Sequence, residues 1–335
     1  MSVSRWPSTG KLMGEPPYSR AMLAVTVADE SLSVQEHQDP EPGAGEVLVR
    51  VRGAGINGAD ILQRKGAYPA PPGSPADIPG LELAGEVAAL GPGASRFAEG
   101  DRVMAIVGGG GQAELAVVHE RQLMPVPEGL DWPEAGGLPE VFTTAHDALF
   151  TQCGLKAGER LLVHGAAGGV GHAAAQLGRV AGAKVTSTVR NPDLRDATLA
   201  LGVDEAIDPE GFEEHGPFDV ILELVGAPNM PANLTALAER GRICVIGVGA
   251  GSRFEIDLVD LMRRRARIHG STLRSRSLED KAVAARLVEK QVLPGFASGD
   301  LSVPVAATFP LEEAPAAYDR FRGGGKFGKV VLTMS

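Results

Sequence analysis

The stretch Leu161-Leu162-Val163-His164-Gly165-Ala166-Ala167-Gly168-Gly169-Val170-Gly171 decides the fold of this chain. Three apolar residues lead into a cluster of glycines, and a run of strong helix formers, Ala173–Val180, follows it. This order predicts a strand, a tight turn and a helix. Because glycine has no side chain, the backbone N–H groups of the turn and of the helix N-terminus can approach a pyrophosphate. The spacing of the glycines within this context predicts dinucleotide binding.

The residues that follow repeat the alternation of strand and helix. Strands are predicted at Lys184–Val189, Phe218–Leu224 and Arg242–Ile246, and helices at Leu194–Leu201 and Pro228–Glu239. Near-continuous apolar strands that alternate with helices indicate a parallel sheet that is buried on both faces. The middle of the chain is therefore expected to be a Rossmann-type domain.

The segments on either side of this domain indicate mainly β structure. Short strands are expected over Met22–Val27 and Glu46–Gly53, and again between residues 83 and 115, where glycine-rich turns break the pattern. Such a series of short strands predicts a small barrel. Two terminal strands, Leu301–Phe309 and Lys329–Leu332, need pairing partners, and we expect the barrel to supply them.

Length and composition limit the class of protein. A chain of 335 residues favours two domains, and 44% hydrophobic residues provide an ample core. No apolar run approaches the roughly 20 residues of a membrane span, and no signal-peptide pattern is found. The two cysteines, Cys153 and Cys244, form no motif, which favours a reducing, cytoplasmic compartment. A net charge of −10 argues against nucleic acid or an anionic membrane as the main partner.

Several separated motifs carry a resemblance to a known family. They are Ala54–Asp60, Gly66–Pro69, Pro79–Gly85 and Gly100–Val103, together with the glycine cluster, Val225–Gly226, Gly241–Arg242, Gly270–Arg276 and Gly328–Leu332. With these motifs the chain, from about Met22 to its end, resembles the zinc-free medium-chain dehydrogenase/reductase superfamily. Within it, the chain is most similar to the zeta-crystallin-like NADPH quinone oxidoreductases.

The resemblance implies an α/β fold with a GroES-like β-barrel catalytic domain plus a Rossmann domain built on a doubly wound parallel sheet. Residues 22–138 and 284–335 are expected to form the GroES-like domain, and residues 139–283 the NADP-binding domain. Residues 1–21, which are rich in Pro, Gly and Ser and lack periodicity, are expected to be a disordered leader. A homodimer is also expected.

No zinc is expected. Zinc-dependent relatives place a cysteine where this chain has Asn57 and a histidine where it has Leu81, and their structural zinc needs four cysteines. The seven histidines are scattered without ligand spacing. Without a Lewis acid an ordinary carbonyl is hard to polarise, whereas a quinone is already electron-poor. The resemblance therefore implies hydride transfer to a quinone, catalysed mainly by positioning.

The same resemblance assigns the site. Asn57 and Tyr68 are expected to be catalytic, with Tyr68 lining the substrate mouth and donating a hydrogen bond to the quinone oxygen. Plainer interpretations stay open: Tyr68 could pack on Pro69–Pro72, and Asn57 could make a local turn hydrogen bond. Asp60 and Glu82 are expected to fix the local fold. The residues expected to contact the cofactor are Asn57, Thr144, Gly165, Ala167, Gly168, Gly169, Val170, Gly171, Arg179, Arg190, Arg195, Val225, Gly226, Gly247 and Lys329.

The end of the second Rossmann strand indicates the choice of cofactor. NAD enzymes usually place Asp or Glu there, about 20 residues past the glycines. Here that position holds Val189-Arg190-Asn191, with Arg195 one turn into the next helix, and the first carboxylate is Asp193. Cationic side chains suit a 2′-phosphate. Arg179 also resembles a basic residue that helps to bind this phosphate in the family. NADPH is therefore the expected cofactor.

Two other functions stay open. An NADPH-dependent enoyl-thioester or enone reductase needs the same cofactor geometry, and Tyr68 would then protonate the product. A cofactor-binding protein without turnover, similar to a lens crystallin or an RNA binder, belongs to a different class. The basic run Arg263–Arg267 is short and closes a predicted helix, where positive charge is favourable, so a solvated surface is expected there.

The position of the site follows from the two domains. The barrel supplies Asn57 and Tyr68 and the Rossmann domain supplies the cofactor, so the reactive centre is expected in the cleft between them. The glycine run Gly108–Gly111 lies in the barrel and is expected to form part of a flexible rim.

Overall fold

The computed structural model describes residues 21–335, and the first 20 residues of the expected leader lie outside this range. Ala21, the last residue of the expected leader, instead begins a strand and pairs with Gln38. That boundary was wrong because strand pairing extends one residue beyond the apolar run that begins at Met22.

Fifteen strands and ten α-helices make up the described part of the chain. The strands are β1 (Ala21–Ala28), β2 (Ser31–Gln38), β3 (Glu46–Gly55), β4 (Glu82–Leu90), β5 (Arg102–Ile106), β6 (Leu115–His119), β7 (Met124–Pro125), β8 (Arg160–Val163), β9 (Lys184–Thr188), β10 (Glu205–Ile207), β11 (Phe218–Glu223), β12 (Leu237–Val245), β13 (Arg267–Gly270), β14 (Val305–Pro310) and β15 (Lys329–Thr333). The helices are α1 (Gly58–Arg64), α2 (Trp132–Gly136), α3 (Pro139–His146), α4 (Gly169–Val180), α5 (Arg195–Leu199), α6 (Met230–Ala236), α7 (Leu258–Arg264), α8 (Leu278–Gln291), α9 (Leu293–Ala297) and α10 (Ala314–Arg322).

The first domain is built on a seven-stranded sheet in the order β14-β15-β3-β4-β5-β7, with β6 paired to β3. β15 pairs antiparallel with β3, so the last strand of the chain returns to the barrel, as the sequence predicted. Val49, Leu83 and Tyr318 are among the buried residues of its core, and the hairpin of β1 and β2 contributes Val25.

The second domain has a six-stranded parallel sheet in the order β10-β9-β8-β11-β12-β13. β8 and β11 are neighbours, and the chain winds away from them in opposite directions. In sheets of this kind a ligand binds at the carboxyl ends of such a pair of strands. The Rossmann prediction is confirmed, and the glycine cluster follows β8 at this edge.

One predicted helix was too long. Pro228–Glu239 was expected to be helical, but α6 ends at Ala236 and β12 starts at Leu237. Leu237 is buried and pairs with Phe218, after which the register shifts before Arg242 resumes the pairing. The chain thus enters the sheet, bulges outward and re-enters it, which apolar periodicity alone does not indicate.

The glycine run Gly108–Gly111 is not a flexible rim. The N–H groups of Gly110 and Gly111 donate to the carbonyls of Ile78 and Gly80 at 2.9 and 3.1 Å. A Cβ added at Gly108 would lie 2.2 Å from the Ser74 hydroxyl oxygen. The glycines are there because the backbone is packed closely, rather than because it must move. No helix between residues 21 and 335 is long and apolar enough to cross a bilayer.

Candidate active site

The glycine cluster forms an open turn at the start of α4. Gly165 has φ +63°, a left-handed conformation that glycine adopts without strain. A Cβ added at Gly171 would lie 2.3 Å from the Gly165 carbonyl oxygen, so this position needs glycine. Gly168 is the N-cap residue of α4, so no side chain accepts a hydrogen bond from the first N–H groups of this helix. The first N–H groups of a helix have no partner within it, and they favour an anion. These residues therefore fit the pyrophosphate of a dinucleotide cofactor.

This turn contacts the barrel domain directly. The Gly328 N–H donates to the Ala167 carbonyl at 3.0 Å, immediately before β15 begins. A Cβ added at Gly169 would lie 2.8 Å from Val141 and 3.2 Å from the Lys329 side chain. The start of α4 and Lys329 are therefore adjacent, and the two domains meet at the glycine turn.

Lys329, Asn57 and Glu82 form a closed cluster at this junction. Lys329 Nζ lies 2.7 Å from Glu82 Oε1 and donates to Asn57 Oδ1 at 2.6 Å. Asn57 Nδ2 donates to the same Glu82 oxygen at 2.9 Å. All three residues are buried. The Asn57 amide is thus held by residues of β4 and β15, the two neighbours of β3 in the sheet. The local turn interpretation of Asn57 accounts only for a weak bond to Gly55 at 3.4 Å.

Asp60 supports this cluster from the first turn of α1. Its Oδ2 accepts from the Asn57 N–H at 2.8 Å, and its Oδ1 accepts from the Gly80 N–H at 3.2 Å. Gln112 donates to Oδ2 at 3.4 Å and accepts from the Tyr318 hydroxyl. Burial raises the pKa of Asp60 to about 7, against a partial opposing effect of the Asn57 hydrogen bond. The expectation that Asp60 fixes the local fold agrees with these contacts.

Glu140 is a neighbour of this cluster that sequence reasoning missed. Its backbone N–H donates to Glu82 Oε2 at 2.8 Å. Its own Oε1 accepts only a long hydrogen bond of 3.5 Å from Thr144, and its Oε2 is shielded from solvent without a partner among residues 21–335. Burial raises the pKa of Glu140 to about 8, and the charge of Glu82 adds to this effect. Thr144 is thereby placed beside the cluster.

Tyr68 contacts Arg274, a residue of the motif Gly270–Arg276 to which the sequence assigned no role. The Arg274 guanidinium lies 4.9 Å from the centre of the Tyr68 ring and donates to the Tyr68 carbonyl at 2.7 Å. It also donates to Gly108 at 2.8 Å and to Gln63 at 2.5 Å. Burial raises the pKa of Tyr68, and the nearby charge of Glu140 contributes. The segment after β13 therefore orients Tyr68 beside the buried cluster.

The loop after β11 is held by a buried carboxylate. Glu223 Oε1 accepts from the N–H groups of Val225 and Gly226 at 2.6 and 2.7 Å. Gly247 lies against the same loop, since a Cβ there would be 2.3 Å from the Leu224 carbonyl oxygen. Val225 and Gly226 thus lie at the sheet edge beside the glycine turn, with their N–H groups already used.

The three arginines predicted to bind a phosphate do not lie together. Arg190 is exposed just beyond β9, and Arg195 donates to the Val189 carbonyl at 3.3 Å and pairs with Asp208 at 2.6 Å. Arg179 instead lies near the C-terminal end of α4, about 15 Å along the helix from Gly169, and donates to Asp300 at 2.5 Å. Only Arg190 and Arg195 lie at the strand end that the cofactor prediction requires.

The two positions where zinc-dependent relatives carry ligands hold a buried amide and a buried aliphatic side chain, Asn57 and Leu81. Within residues 21–335 no three His, Cys, Asp or Glu side chains are grouped so that they could hold a metal ion. The absence of zinc stays a prediction, which elemental analysis can test.

Two family models match the two domains. Residues 43–128 match the alcohol dehydrogenase GroES-like domain, and residues 169–290 match the zinc-binding dehydrogenase domain. The quinone oxidoreductase of Mus musculus is 32% identical over 309 residues, which cover 88% of this chain and 91% of the mouse protein.

Solved structures agree with this assignment. An alcohol dehydrogenase superfamily protein from Novosphingobium aromaticivorans superposes with a TM-score of 0.82 at 27% identity, covering 94% of this chain and all of that one. The CurK enoyl reductase superposes with a TM-score of 0.81 at 25% identity, covering 94% of this chain and 99% of that one. This chain belongs to the medium-chain dehydrogenase/reductase superfamily.

Proposed function

We propose that this protein is a zinc-independent oxidoreductase that transfers a hydride from NADPH to a quinone. The observation that carries the proposal is the contact between the glycine turn and the buried cluster of Lys329, Asn57 and Glu82. A nicotinamide cofactor, when bound, supplies the hydride. The glycine turn would hold its pyrophosphate, and Asn57, Thr144 and Lys329 would border its reactive end. The chain's own side chains then hold the acceptor and exclude water.

The quinone as acceptor is supported by the chemistry of the cluster. Lys329 is engaged by Glu82 and Asn57, so its ammonium group is not free to polarise an ordinary carbonyl. An electron-poor acceptor needs less polarisation. The similarity to the Mus musculus quinone oxidoreductase points in the same direction.

NADPH is preferred over NADH in this proposal because no carboxylate side chain follows directly on β9. Arg190 is exposed two residues after the end of β9, and the Arg195 side chain donates to the Val189 carbonyl beside it. Their guanidinium groups suit a 2′-phosphate. We drop Arg179 from the set because of its place at the far end of α4.

An enoyl-thioester or enone reductase is the second candidate. The similarity to the CurK enoyl reductase over 94% of this chain favours it. A protein that binds RNA through Arg263–Arg267 is less well supported, because Arg264 pairs with Asp260 at 3.0 Å and Arg265 pairs with Glu239.

A homodimer is part of the proposal. β13 is an edge strand that pairs only with β12 in the described part of the chain, and α7 exposes Leu258, Val259 and Met262 close by in sequence. Sedimentation equilibrium measures the mass directly, and a monomer at micromolar concentration would remove this part of the proposal.

Steady-state oxidation of NADPH against a panel of quinones, enones and enoyl thioesters tests the function. Turnover of quinones with the highest kcat/KM supports the proposal, and preference for enoyl thioesters supports the second candidate. Tight NADPH binding without turnover of any acceptor would contradict both.

A further inference from the structure

Three carboxyl groups and one ammonium group share the junction of the two domains. Asp60, Glu82 and Glu140 lie close enough to affect one another electrostatically. Lys329 is the cation in contact with them, and the buried Arg274 guanidinium acts on Asp60 and Glu140 from further away. The Lys329 ammonium and the more distant Arg274 guanidinium balance at most two of the three carboxylates. A third negative charge in this enclosed site would be strongly unfavourable, so the cluster favours a proton on one of the other carboxyl groups.

Hydrogen bonding indicates which carboxyl group carries the proton. Glu82 accepts from Lys329, from Asn57 and from the Glu140 N–H, while Asp60 accepts from two backbone N–H groups and one side-chain amide. Glu140 accepts only the 3.5 Å hydrogen bond from Thr144. Its Oε2 is shielded and has no donor among the described residues. Glu140 is therefore the group whose negative charge would be least stabilised.

We propose that Glu140 is the proton donor of the reaction, delivering the proton of its neutral carboxyl group to the acceptor oxygen. This inference rests on the proposed function. The hydride forms a bond to one quinone oxygen, and an electron pair moves through the ring onto the other oxygen. The O–H bond of Glu140 breaks and a new O–H bond forms at that second oxygen. The Glu140 carboxylate then regains a proton from water. Overall, quinone, NADPH and one proton give hydroquinone and NADP⁺, so atoms and electrons balance.

The acidities of the two candidate donors favour Glu140 over Tyr68. Burial raises the pKa of Glu140 to about 8, so it is protonated at neutral pH. A phenolic oxygen has an ordinary pKa of about 10, so transfer to a hydroquinone oxygen is favourable. Burial raises the pKa of Tyr68 above that value, which makes it the weaker acid. Tyr68 is then a residue that orients the acceptor. The charged and titratable groups that act on Glu140 are Glu82, Lys329, Asp60, Tyr68 and Arg274.

The first test needs neither cofactor nor substrate. Infrared spectroscopy of the full chain alone detects the C=O stretch of a protonated carboxylic acid. We expect a component of this band in the wild type that titrates with a midpoint near pH 8 and is lost in Glu140→Gln, while the component from Asp60, whose pKa is about 7, remains. Asp60→Asn is the matched control: the Glu140 component should persist there, with its midpoint at a lower pH because the Asp60 charge no longer raises the pKa of Glu140. A spectrum unchanged by Glu140→Gln would overturn the assignment of the proton.

The second test separates proton donation from a structural role. Positioned acids contribute about 100- to 10,000-fold to rates, so Glu140→Gln should lower kcat for quinones by about that factor while the Kd for NADPH stays unchanged. The wild-type kcat should decline above about pH 8, and this decline should be absent in Glu140→Gln. Glu140→Asp should recover part of the lost kcat and of the pH dependence. Tyr68→Phe should keep that decline.

The outcomes distinguish the two proposals. Quinone turnover with an unchanged high-pH decline in Glu140→Gln would overturn the role of Glu140 and leave the proposed function intact. A wild type that binds NADPH but reduces no acceptor would overturn the proposed function and this role with it.

Discussion

Nζ of Lys329 lies 2.7 Å from Oε1 of Glu82, with only 2% and 0% of the two side chains exposed. Removing one partner of a buried ion pair leaves an uncompensated charge and typically destabilises a protein by about 3–5 kcal/mol. We expect Lys329→Met and Glu82→Gln each to lower the free energy of unfolding by about this amount. The double variant should lose less than the sum, because neither charge is then left alone.

Denaturant unfolding of the four proteins measures this coupling. The exposed pair Arg52–Glu86 is the control, since its side chains are 26% and 39% exposed and such pairs contribute about 0–1 kcal/mol. Strictly additive losses for Lys329 and Glu82 would contradict the prediction.

The second prediction concerns cofactor choice. Arg190→Ala should weaken NADPH binding about ten- to a hundredfold, because a hydrogen bond to a charged group contributes about 1.5–3 kcal/mol. Arg195→Ala should act in the same direction and less strongly, since Asp208 already pairs with this guanidinium. NADH binding should change little in either variant.

Arg179→Ala provides the control in the same titrations. This arginine lies at the opposite end of α4, so the ratio of NADPH to NADH affinity should stay that of the wild type. Equal wild-type affinities for both cofactors would refute the NADPH assignment, and a loss of preference in Arg179→Ala would show that the strand end is not the phosphate site.

The local signals in this sequence predicted the fold well. The glycine turn could be predicted because strand, turn and helix are contiguous from Leu161 to Val180, so short-range patterns suffice. The error at Gly108–Gly111 has a physical cause, since glycine serves both mobility and close backbone packing, and composition does not distinguish the two. Arg179 was included because of the resemblance alone, although the predicted helix Ala173–Val180 already placed it at the end remote from the glycine turn.

The long-range part of the site could not be predicted. Arg274 reaches the Tyr68 carbonyl from 206 residues further along the chain. Glu140 follows a proline at the start of an ordinary apolar helix and becomes chemically distinctive only because Glu82 and Lys329 fold against it. Arg274 lies in the motif Gly270–Arg276, but that motif does not indicate its contact with Tyr68, and Glu140 lies in no motif, so only the assembled tertiary structure reveals their chemistry.

The third prediction is a dependence of stability on pH that comes from Asp60. Burial raises its pKa from 3.8 to about 7 in the folded state, so between about pH 4 and 7 the folded protein binds more protons at this site than the unfolded chain. The free energy of unfolding therefore falls as the pH rises through this window, by an amount on the order of 1.4 kcal/mol for each pH unit between the two pKa values. The loss is complete above about pH 7.

Urea unfolding across this pH range compares the wild type with Asp60→Asn. The variant keeps a similar shape and cannot ionise, so its stability should decline less steeply with pH. If the free energy of unfolding of the two proteins had the same pH dependence between about pH 4 and 7, Asp60 would be ionised in the folded state over this range and the prediction would be wrong.

The fourth prediction concerns metal. Treatment with a chelator should leave both activity and thermal stability unchanged, because Asn57 and Leu81 are poor zinc ligands where zinc-dependent relatives have Cys and His. Stoichiometric zinc in the purified protein, measured by elemental analysis, would contradict this prediction.

The last prediction concerns how the two cofactor loops are coupled. The Gly165 N–H donates to the Thr188 hydroxyl at 3.2 Å, and this hydroxyl lies 3.2 Å from His164 Nδ1. His164 Nε2 lies 2.7 Å from Asn233 Oδ1, and Asn233 Nδ2 donates to Glu223 Oε2 at 2.7 Å. Burial lowers the pKa of His164, and a neutral imidazole has one donor and one acceptor, which suits this chain of hydrogen bonds.

Because Glu223 also holds the N–H groups of the loop after β11, this chain joins that loop to the glycine turn. Asn233→Leu interrupts it and removes the hydrogen-bond partner of His164 Nε2 and of Glu223 Oε2, and an unsatisfied buried group destabilises a protein by about 1–3 kcal/mol. NADPH affinity should fall about tenfold, since the turn is no longer held for the cofactor. Asn229→Leu is the matched control, because Asn229 reaches Glu223 only at 3.4 Å and stands outside the chain. Fluorescence titration with NADPH compares the variants, and equal losses of affinity in both would show that proximity to Glu223, rather than the connection to Gly165, sets the affinity.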